Sequence, residues 1–416
     1  MRKALSIMGI ILILTGCTIA ETPTNLMEAP TYGSWLNELK EQMNKDLPVN
    51  YRLLTPISNR DKQTIWTMNI NEDGKKEVVI FYKQSNEDYQ VYLSFYKETD
   101  KGWKLQLTRT FIGEGLDYVA VGDFTGNHKK EILVGISTNR EVSQNVVYAF
   151  SLEQNNITEI YNRDYTKLFV DDLNANGIND ISLVTYKKNQ RLQVDFIEEF
   201  KIVSNVSFDP YINEIQKIQL GHISKQKKAI VIDVGAGAHS GITYIAKFEN
   251  SHFEKVFLDE DNPLINDFVL ESQDVNRDGI IEFATTVQAK GWEEHSHAES
   301  PQFERYVQLD GNSGFKLIEE RYINVEQGYF VKIPRELIGK ITLSAENTSK
   351  NIQSFLYADT NEPWLEVHTF KHKEWLNVQD YEAAVKTTSR VYAVPKQFKY
   401  NKLKSYIKPL AEYQQE

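Results

Sequence analysis

Two nine-residue segments of this sequence carry oxygen-bearing side chains at alternate positions, contain a glycine at position 6 and end on an acidic residue. Positions 1, 3, 5 and 9 of the two segments are Asp172, Asn174, Asn176 and Asp180, and Asp274, Asn276, Asp278 and Glu282. A hard cation such as Ca²⁺ takes about six to eight oxygen ligands, and alternate side chains of a tight loop can converge on one point. Position 7 would add a backbone carbonyl, from Ile178 and Ile280. The spacing therefore predicts two structural Ca²⁺ sites.

Further copies of this pattern depart from it and predict weaker sites or none. In the first copy the ligand positions hold Asn69, Asn71, Asp73 and Glu77, and the neutral amide at position 1 predicts weaker binding. The copy that begins at Asp123 lacks the glycine and has Thr125 and Asn127 inside the loop, so we expect no firm site there. Degenerate copies near residue 222 and over 331–341 are expected to bind no ion. The alternative interpretation of any single copy is a plain turn, because Asn, Asp and Gly favour turns unaided.

The copies form an internal repeat along the chain. They begin at residues 69, 123, 172 and 274, at intervals close to 50 residues or twice that, and each leads into an apolar strand. Short alternating segments between polar turns predict about four strands per repeat. Such a repeat is typical of a β-propeller, in which each sheet is buried by stacking on its neighbours. We therefore predict an all-β fold, a β-propeller of six or seven blades over residues 47–416, with residues from about 385 supplying a seventh blade or a closing strand.

The repeated loops resemble the FG-GAP/VCBS-type calcium loops of integrin-like propellers. The resemblance covers about residues 60–345. It implies that each bound Ca²⁺ is structural, clamps the first two strands of its blade and takes no part in chemistry. A functional site is then expected on the opposite face, where the loops between strands two and three lie.

The N-terminus predicts export and a lipid anchor. Arg2 and Lys3 precede an apolar run, Ala4–Leu14, which ends just before Cys17, the only cysteine of the chain. This order is typical of a secretory signal. The Leu-Thr-Gly-Cys ending resembles the lipobox of bacterial lipoproteins, which implies a cleaved signal over 1–16, a diacylglycerol and palmitate anchor on Cys17, and a flexible tether over 17–31. The resemblance places the protein on the extracytoplasmic face of the cell membrane; the alternative is an ordinary signal with a chance cysteine.

A single helix is predicted between the tether and the repeats. Residues 32–46 carry Trp35, Leu36, Leu39 and Met43 at helical spacing, which predicts an amphipathic helix packed on the domain. The net charge of −11 argues against a nucleic-acid partner, because such proteins neutralise phosphates with basic side chains. The same negative charge would keep the domain off an anionic membrane surface, so the membrane contact is assigned to the lipid alone.

Two loops of the opposite face are candidates for a ligand or partner surface. They lie at 235–241 and 291–299, and their candidate residues are His239, Trp292, Glu293, His295 and His297. The preferred function is a binding or protein-interaction platform at the cell envelope. One alternative is an extracytoplasmic enzyme, a hydrolase or lyase, that uses the His and Glu side chains of these loops. Another is a structural component of an envelope assembly.

Overall fold

The structure is a computed structural model of the chain, and it describes ten segments: 34–70, 74–139, 144–153, 156–238, 240–257, 262–296, 300–311, 314–344, 351–396 and 403–413. The predicted signal, Cys17, the tether and the first two residues of the predicted helix lie outside these segments. None of the described helices combines the length and apolar character that a membrane span requires.

The predicted short N-terminal helix is present as α1 (Ser34–Asp46). Its buried side chains are Leu36, Leu39 and Met43, which recur on one face of the helix. They share a core with strands of the first sheet. The indole of Trp103 in that sheet donates to the carbonyl of Trp35 at 3.1 Å, which fixes the start of the helix. Its apolar face therefore determines how this helix packs.

The first three sheets follow one another along the chain. Sheet one contains β1 (Tyr51–Leu53), β2 (Ile65–Met68), β3 (Glu77–Gln84), β4 (Gln90–Thr99) and β5 (Gly102–Ile112), with β1 and β2 both paired to β3. Sheet two contains β6 (Gly115–Gly122), β7 (Glu131–Asn139), β8 (Gln144–Glu153) and β9 (Asn156–Tyr165). Sheet three contains β10 (Lys167–Asp171), β11 (Asp180–Lys187), β12 (Arg191–Glu198) and β13 (Lys201–Phe208).

The last three sheets are less regular. Sheet four contains β14 (Glu214–His222), β15 (Lys228–Ala236), β16 (Ser240–Glu249), β17 (His252–Lys255) and β18 (Ile265–Asn266). Sheet five contains β19 (Phe283–Gln288), β20 (Gln302–Asp310), β21 (Gly314–Asn324) and β22 (Tyr329–Lys332). Sheet six contains β23 (Ile341–Leu343), β24 (Ile352–Tyr357), β25 (Pro363–Lys371), β26 (Tyr381–Lys386) and β27 (Arg390–Pro395). The short helix α2 (His372–Trp375) follows β25; β28 (Ile407–Pro409) returns to β22, and α3 (Leu410–Tyr413) follows it.

The described residues divide into two compact units, the first holding sheet one and the second holding sheets three to six with most of sheet two. Within the second unit, buried clusters join sheet two to three, three to four, four to five, and five to six. The sequence of strand β15 is almost continuously apolar because both of its faces are covered. Ile230 and Ile232 face sheet three, whereas Val231 faces sheet five. The described segments contain six antiparallel sheets of the kind that form propeller blades, and the predicted all-β class is confirmed.

Three details differ from the predicted repeat. Residues 390–395 form β27 inside sheet six, so in the described segments they supply neither a seventh blade nor a separate closing strand. Residues 331–341 connect sheet five to sheet six through a 3₁₀ turn instead of joining two strands of one sheet. Sheet five has only a single bridge, between Gln273 and Glu282, where a first strand was expected. Gln273 exchanges both backbone hydrogen bonds with Glu282, and on the other side of this segment the buried Asp233 carboxylate of sheet four accepts the Ser272 backbone N–H at 2.8 Å.

Candidate cation-binding loops

The loop at 172–180 joins the first two strands of sheet three and turns around the carboxylate at position 1. Asp172 accepts the backbone N–H groups of Asn176, at 3.1 Å, and Gly177, at 2.9 Å. The Asn174 side-chain oxygen accepts the same Asn176 N–H at 3.1 Å. Ala175 and Gly177 adopt φ of 58° and 85°, which lets alternate side chains face one side of the loop. The oxygen-bearing side chains therefore turn inward, as their spacing predicts.

The loop at 274–282 repeats this arrangement position by position. Asp274 accepts the N–H groups of Asp278, at 3.1 Å, and Gly279, at 2.8 Å. The Asn276 oxygen accepts the Asp278 N–H at 2.8 Å, and positions 4 and 6 have φ of 62° and 82°. Ligand atoms of Asp274, Asp278 and Glu282 lie within 4.8 Å of one another, and this is the one such acid, His or Cys group in the described segments. These oxygens are close enough to share one cation.

The acid that closes each loop is buried. Glu282 is fully buried and accepts the Val275 N–H at 2.8 Å, and Asp180 accepts the Leu173 N–H at 3.0 Å. Burial, with a smaller contribution from neighbouring carboxylates, raises the pKa of Asp180 to about 6 and that of Glu282 to about 7, despite these hydrogen bonds. A bound divalent cation would supply positive charge to both carboxylates.

The copy at 123–131 has the same backbone shape, although it lacks the glycine at position 6. His128 takes that position with a φ of 63°, and its N–H donates to Asp123 at 2.7 Å. Gly126 is at position 4 because a Cβ there would lie 2.7 Å from the Ile178 side chain of the next loop. The missing glycine therefore does not prevent the turn, and this loop has two carboxylates, Asp123 and Glu131, as many as the loop at 172–180 and one fewer than the loop at 274–282.

The first copy lies only partly in the described segments, because Asn71 and Asp73 fall outside them. Glu77 closes this loop as in the other copies, accepting the Ile70 N–H at 2.9 Å. A lysine, Lys97, reaches the same carboxylate, with Nζ 3.5 Å from Oε1. Asn69 is exposed at the start of the loop.

The shorter copy near residue 222 joins β14 to β15 and has no acid at its end. Lys228 stands at the closing position, opposite His222 in the strand pairing. Its ammonium forms an ion pair with Asp171 of sheet three at 2.5 Å. The loop thus carries a positive charge where the better copies carry a negative one.

Two side chains beside the better loops were not predicted, because they lie on β12 and β20, the strand after the one that each loop leads into; we call this the third strand of the repeat, counting the first strand that sheet five lacks. Glu198, 24 residues after Asn174, accepts a hydrogen bond from its amide at 2.5 Å. Gln308, 26 residues after Glu282, donates to that carboxylate at 2.6 Å and to Asp278 at 3.0 Å. Counted from the closing acid, Glu198 follows Asp180 by 18 residues and Gln308 follows Glu282 by 26, so a fixed motif could not have found them; strand register is the signal that does.

The opposite-face loops are described only in part, since His239 and His297 lie outside the described segments. Trp292 is half-buried against the core between sheets five and six, and its indole donates to the Leu343 carbonyl at 3.2 Å. The His295 ring packs 5.0 Å from the Trp292 ring. Glu293 caps its own turn by accepting the Gly291 N–H at 2.9 Å. The described part of this loop therefore anchors sheet six, while Glu293 and His295 stay exposed.

Among known proteins, only solved structures show similarity to this chain. No protein-family model matches the chain, and no curated protein matches it. The chain is similar to a rhamnogalacturonan lyase from Bacillus licheniformis, at 10% identity and a TM-score of 0.29, over 83% of this chain and 91% of that chain. It is also similar to the β-propeller domain of the Trilobed protease from Pyrococcus furiosus, at 11% identity and a TM-score of 0.27, over 73% and 95% of the two chains. TM-scores this low carry no argument about function.

Proposed function

We propose that this chain is a membrane-anchored extracytoplasmic lipoprotein whose β-propeller, stiffened by Ca²⁺, serves as a binding or protein-interaction platform at the cell envelope. The observation that carries the proposal is the set of converging oxygens at 274–282, where three acidic side chains approach within 4.8 Å. The loop at 172–180 repeats its hydrogen bonds, so the arrangement belongs to the repeat and is not a single chance turn.

The donor set fits Ca²⁺ by its chemistry. Each better loop offers carboxylate and amide oxygens and no nitrogen or sulfur ligand of the kind that Zn²⁺ prefers. Asp274, Asn276, Asp278 and Glu282 would hold the ion in one loop, with the carbonyl of Ile280 as a further ligand. Their counterparts at 172–180 would hold it in the other. A bound ion would supply positive charge to the closing acids and stiffen the loop, and the residues named here have no catalytic role.

Thermal unfolding with Ca²⁺, with Mg²⁺ and with a chelator tests the calcium sites. A ligand that binds only the folded state stabilises it by mass action, by about 2.7 kcal/mol per site at a concentration 100 times its Kd. We expect Ca²⁺ to raise the unfolding temperature, and Asp172→Ala and Asp274→Ala each to remove part of that rise. An unfolding temperature that Ca²⁺ leaves unchanged would contradict the proposal.

The anchor is supported by the sequence of the N-terminus. Each buried methylene contributes about 0.8 kcal/mol, so two or more acyl chains on Cys17 would hold the protein on a membrane. We expect the wild-type protein to fractionate with membranes and to incorporate a palmitate analogue. Cys17→Ala is expected to abolish the label and release the protein, and an unchanged distribution would contradict the anchor.

The partner is proposed to be an envelope protein or an extracytoplasmic ligand, with no nucleic acid involved. The enzyme alternative depends on the opposite-face His and Glu side chains. Replacing His239, His295 and His297 with Ala distinguishes the binding platform from the enzyme, because a variant that is folded and keeps its phenotype contradicts the enzyme alternative. The assembly alternative predicts stoichiometric co-purification of envelope proteins after mild detergent extraction, whereas a ligand-binding platform is isolated alone.

A further inference from the structure

The third strand of each loop-bearing sheet places one residue directly across from the acid that closes the loop. The strand register pairs Glu77 with Lys97 and Glu131 with Ser151. In sheet three the pairing of Ile181 with Ile197 continues to Asp180 and Glu198, and in sheet five the pairing of Phe283 with Val307 continues to Glu282 and Gln308. Directly opposed side chains of antiparallel strands are close enough to interact. The facing residue is therefore acidic, neutral or basic depending on the sheet.

Glu198 adds a carboxylate to the loop that has fewer of its own. The loop at 172–180 carries two, Asp172 and Asp180, because its position 5 is Asn176. Glu198 is only partly buried, and its Oε1 lies 2.5 Å from the amide nitrogen of Asn174, a position-3 residue. With Glu198, three carboxylates lie at this loop, although their oxygens are not all within 4.8 Å of one another as those at 274–282 are.

The loop at 274–282 reaches the same number without help from the third strand. It has three carboxylates of its own, Asp274, Asp278 and Glu282. Its facing residue is the neutral Gln308, which contacts Glu282 and Asp278 through its amide at 2.6 Å and 3.0 Å. The two better loops therefore match in negative charge although their sequences differ at position 5.

The first sheet shows the opposite arrangement. Glu77 is fully buried, and its Oε1 has no hydrogen-bond donor in the described structure. The Lys97 ammonium lies 3.5 Å from that oxygen, with 16% of its side chain exposed. A fixed positive charge from the third strand thus faces the closing acid here.

We propose that the third-strand residue facing the closing acid decides whether a loop binds a cation. Glu198 is a further Ca²⁺ ligand of the loop at 172–180, whereas the ammonium of Lys97 takes the place of a cation beside Glu77. This inference rests on the proposed calcium function. It adds a specificity-determining position that the nine-residue motif does not contain.

Calorimetric titration of the full-length protein in detergent with Ca²⁺ tests the role of Glu198. The wild type is expected to bind Ca²⁺ at two sites. In Glu198→Gln one site should weaken roughly 10- to 100-fold, because ligand charge and supporting contacts set metal affinity. The matched control is Glu199→Gln, an equal change of charge at the next residue, which is exposed and whose carboxylate pairs with Lys201 at 3.7 Å. The control should bind as the wild type does.

A gain of binding gives a second test that does not depend on losing a site. The loop at 123–131 is folded like the better copies but has two carboxylates, Asp123 and Glu131, and it faces Ser151. Ser151→Glu supplies the third and is expected to raise the number of bound Ca²⁺ by one, whereas Ser151→Gln should not. Circular dichroism of each variant checks that it is folded.

The outcomes separate this inference from the function on which it rests. A wild type that binds no Ca²⁺ would contradict the proposed function, and the inference with it. A wild type with two sites whose affinities change equally little in Glu198→Gln and Glu199→Gln would contradict the inference alone. So would a folded Ser151→Glu variant that binds no additional Ca²⁺.

Discussion

Glu282→Gln is expected to stabilise the protein in chelator and to destabilise it in Ca²⁺. Burial, together with the charges of Asp278 and Asp274, raises the pKa of Glu282 from its usual 4.5 to about 7. The folded protein therefore holds this proton more tightly than the unfolded chain does. The corresponding stability is complete below about pH 4.5 and is lost as the pH rises through about 7. At about 1.36 kcal/mol per pKa unit, ionising Glu282 costs the folded state about 3 kcal/mol at pH 8.

Glutamine removes this charge while keeping the shape of the side chain. Its amide oxygen can still accept the Val275 N–H, which Glu282 accepts at 2.8 Å. Its amide nitrogen meets Gln308, which has to reorient, so we expect about 1–2 kcal/mol of the 3 to be recovered in chelator. In Ca²⁺ the variant lacks one ligand, and it forgoes up to about 2.7 kcal/mol of stabilisation at a Ca²⁺ concentration 100 times the wild-type Kd. The order of stability of the two proteins should therefore reverse.

Chemical unfolding at pH 8, with chelator and with Ca²⁺, measures both free energies of unfolding. Glu294→Gln is the control, because Glu294 is exposed and has the same change of charge. If Glu282→Gln is less stable than the wild type in chelator, the carboxylate stabilises the fold through its hydrogen bonds and the reasoning from burial is refuted. If its response to Ca²⁺ equals that of the wild type, Glu282 is not a ligand.

Three further predictions follow from single contacts. In chelator, the free energy of unfolding should fall by up to about 3 kcal/mol as the pH rises from 4 through 6, because the pKa of Asp180 is raised to about 6 in the folded protein. Unfolding curves measured over a pH series should show a smaller fall in Asp180→Asn. Gly241→Ala should lower the free energy of unfolding by about 2–3 kcal/mol in a thermal unfolding experiment, because its Cβ would lie 2.4 Å from a backbone oxygen. Gly279→Ala should lower it by only about 1 kcal/mol, because a Cβ there has open space and only the φ of 82° is unfavourable. Lys97→Met should cost up to about 3 kcal/mol in chelator, because it leaves a buried carboxylate without its partner, and less in Ca²⁺, because a cation can then take the place of the ammonium; a neutral result in chelator would contradict that ion pair.

Elements with a local pattern could be predicted from the sequence. Helix α1 follows from the apolar spacing of Leu36, Leu39 and Met43, all of which are buried. The strand that follows each loop is apolar because both of its faces are covered, as in β15. Positions 1, 3 and 5 of the loops turn inward because alternate side chains of a tight turn face one side, and the structure shows this for Asp172 and Asp274 through their backbone hydrogen bonds.

Elements that depend on distant partners could not be predicted in this way. The expected first strand of sheet five is reduced to the bridge between Gln273 and Glu282, and the neighbouring Ser272 is held by the buried Asp233, 39 residues earlier in the chain. The segment that contains β27 joins sheet six because it pairs with β25, across the intervening helix and strand. His128 shows a further limit, because this exposed non-glycine residue has a φ of 63° where the motif expects glycine, and its N–H donates to Asp123 at 2.7 Å.

The sequence by itself determined the side chains that each loop turns inward, since these lie within nine positions of one another. It also determined the period of the repeat and the all-β class, since the same local pattern recurs along the chain. Only the tertiary structure decided which charge faces each loop from the third strand. Lys97, Ser151, Glu198 and Gln308 reach these places through strand register. Register is set by hydrogen bonds between strands and by hairpins of different lengths, and no constant spacing in the sequence records it.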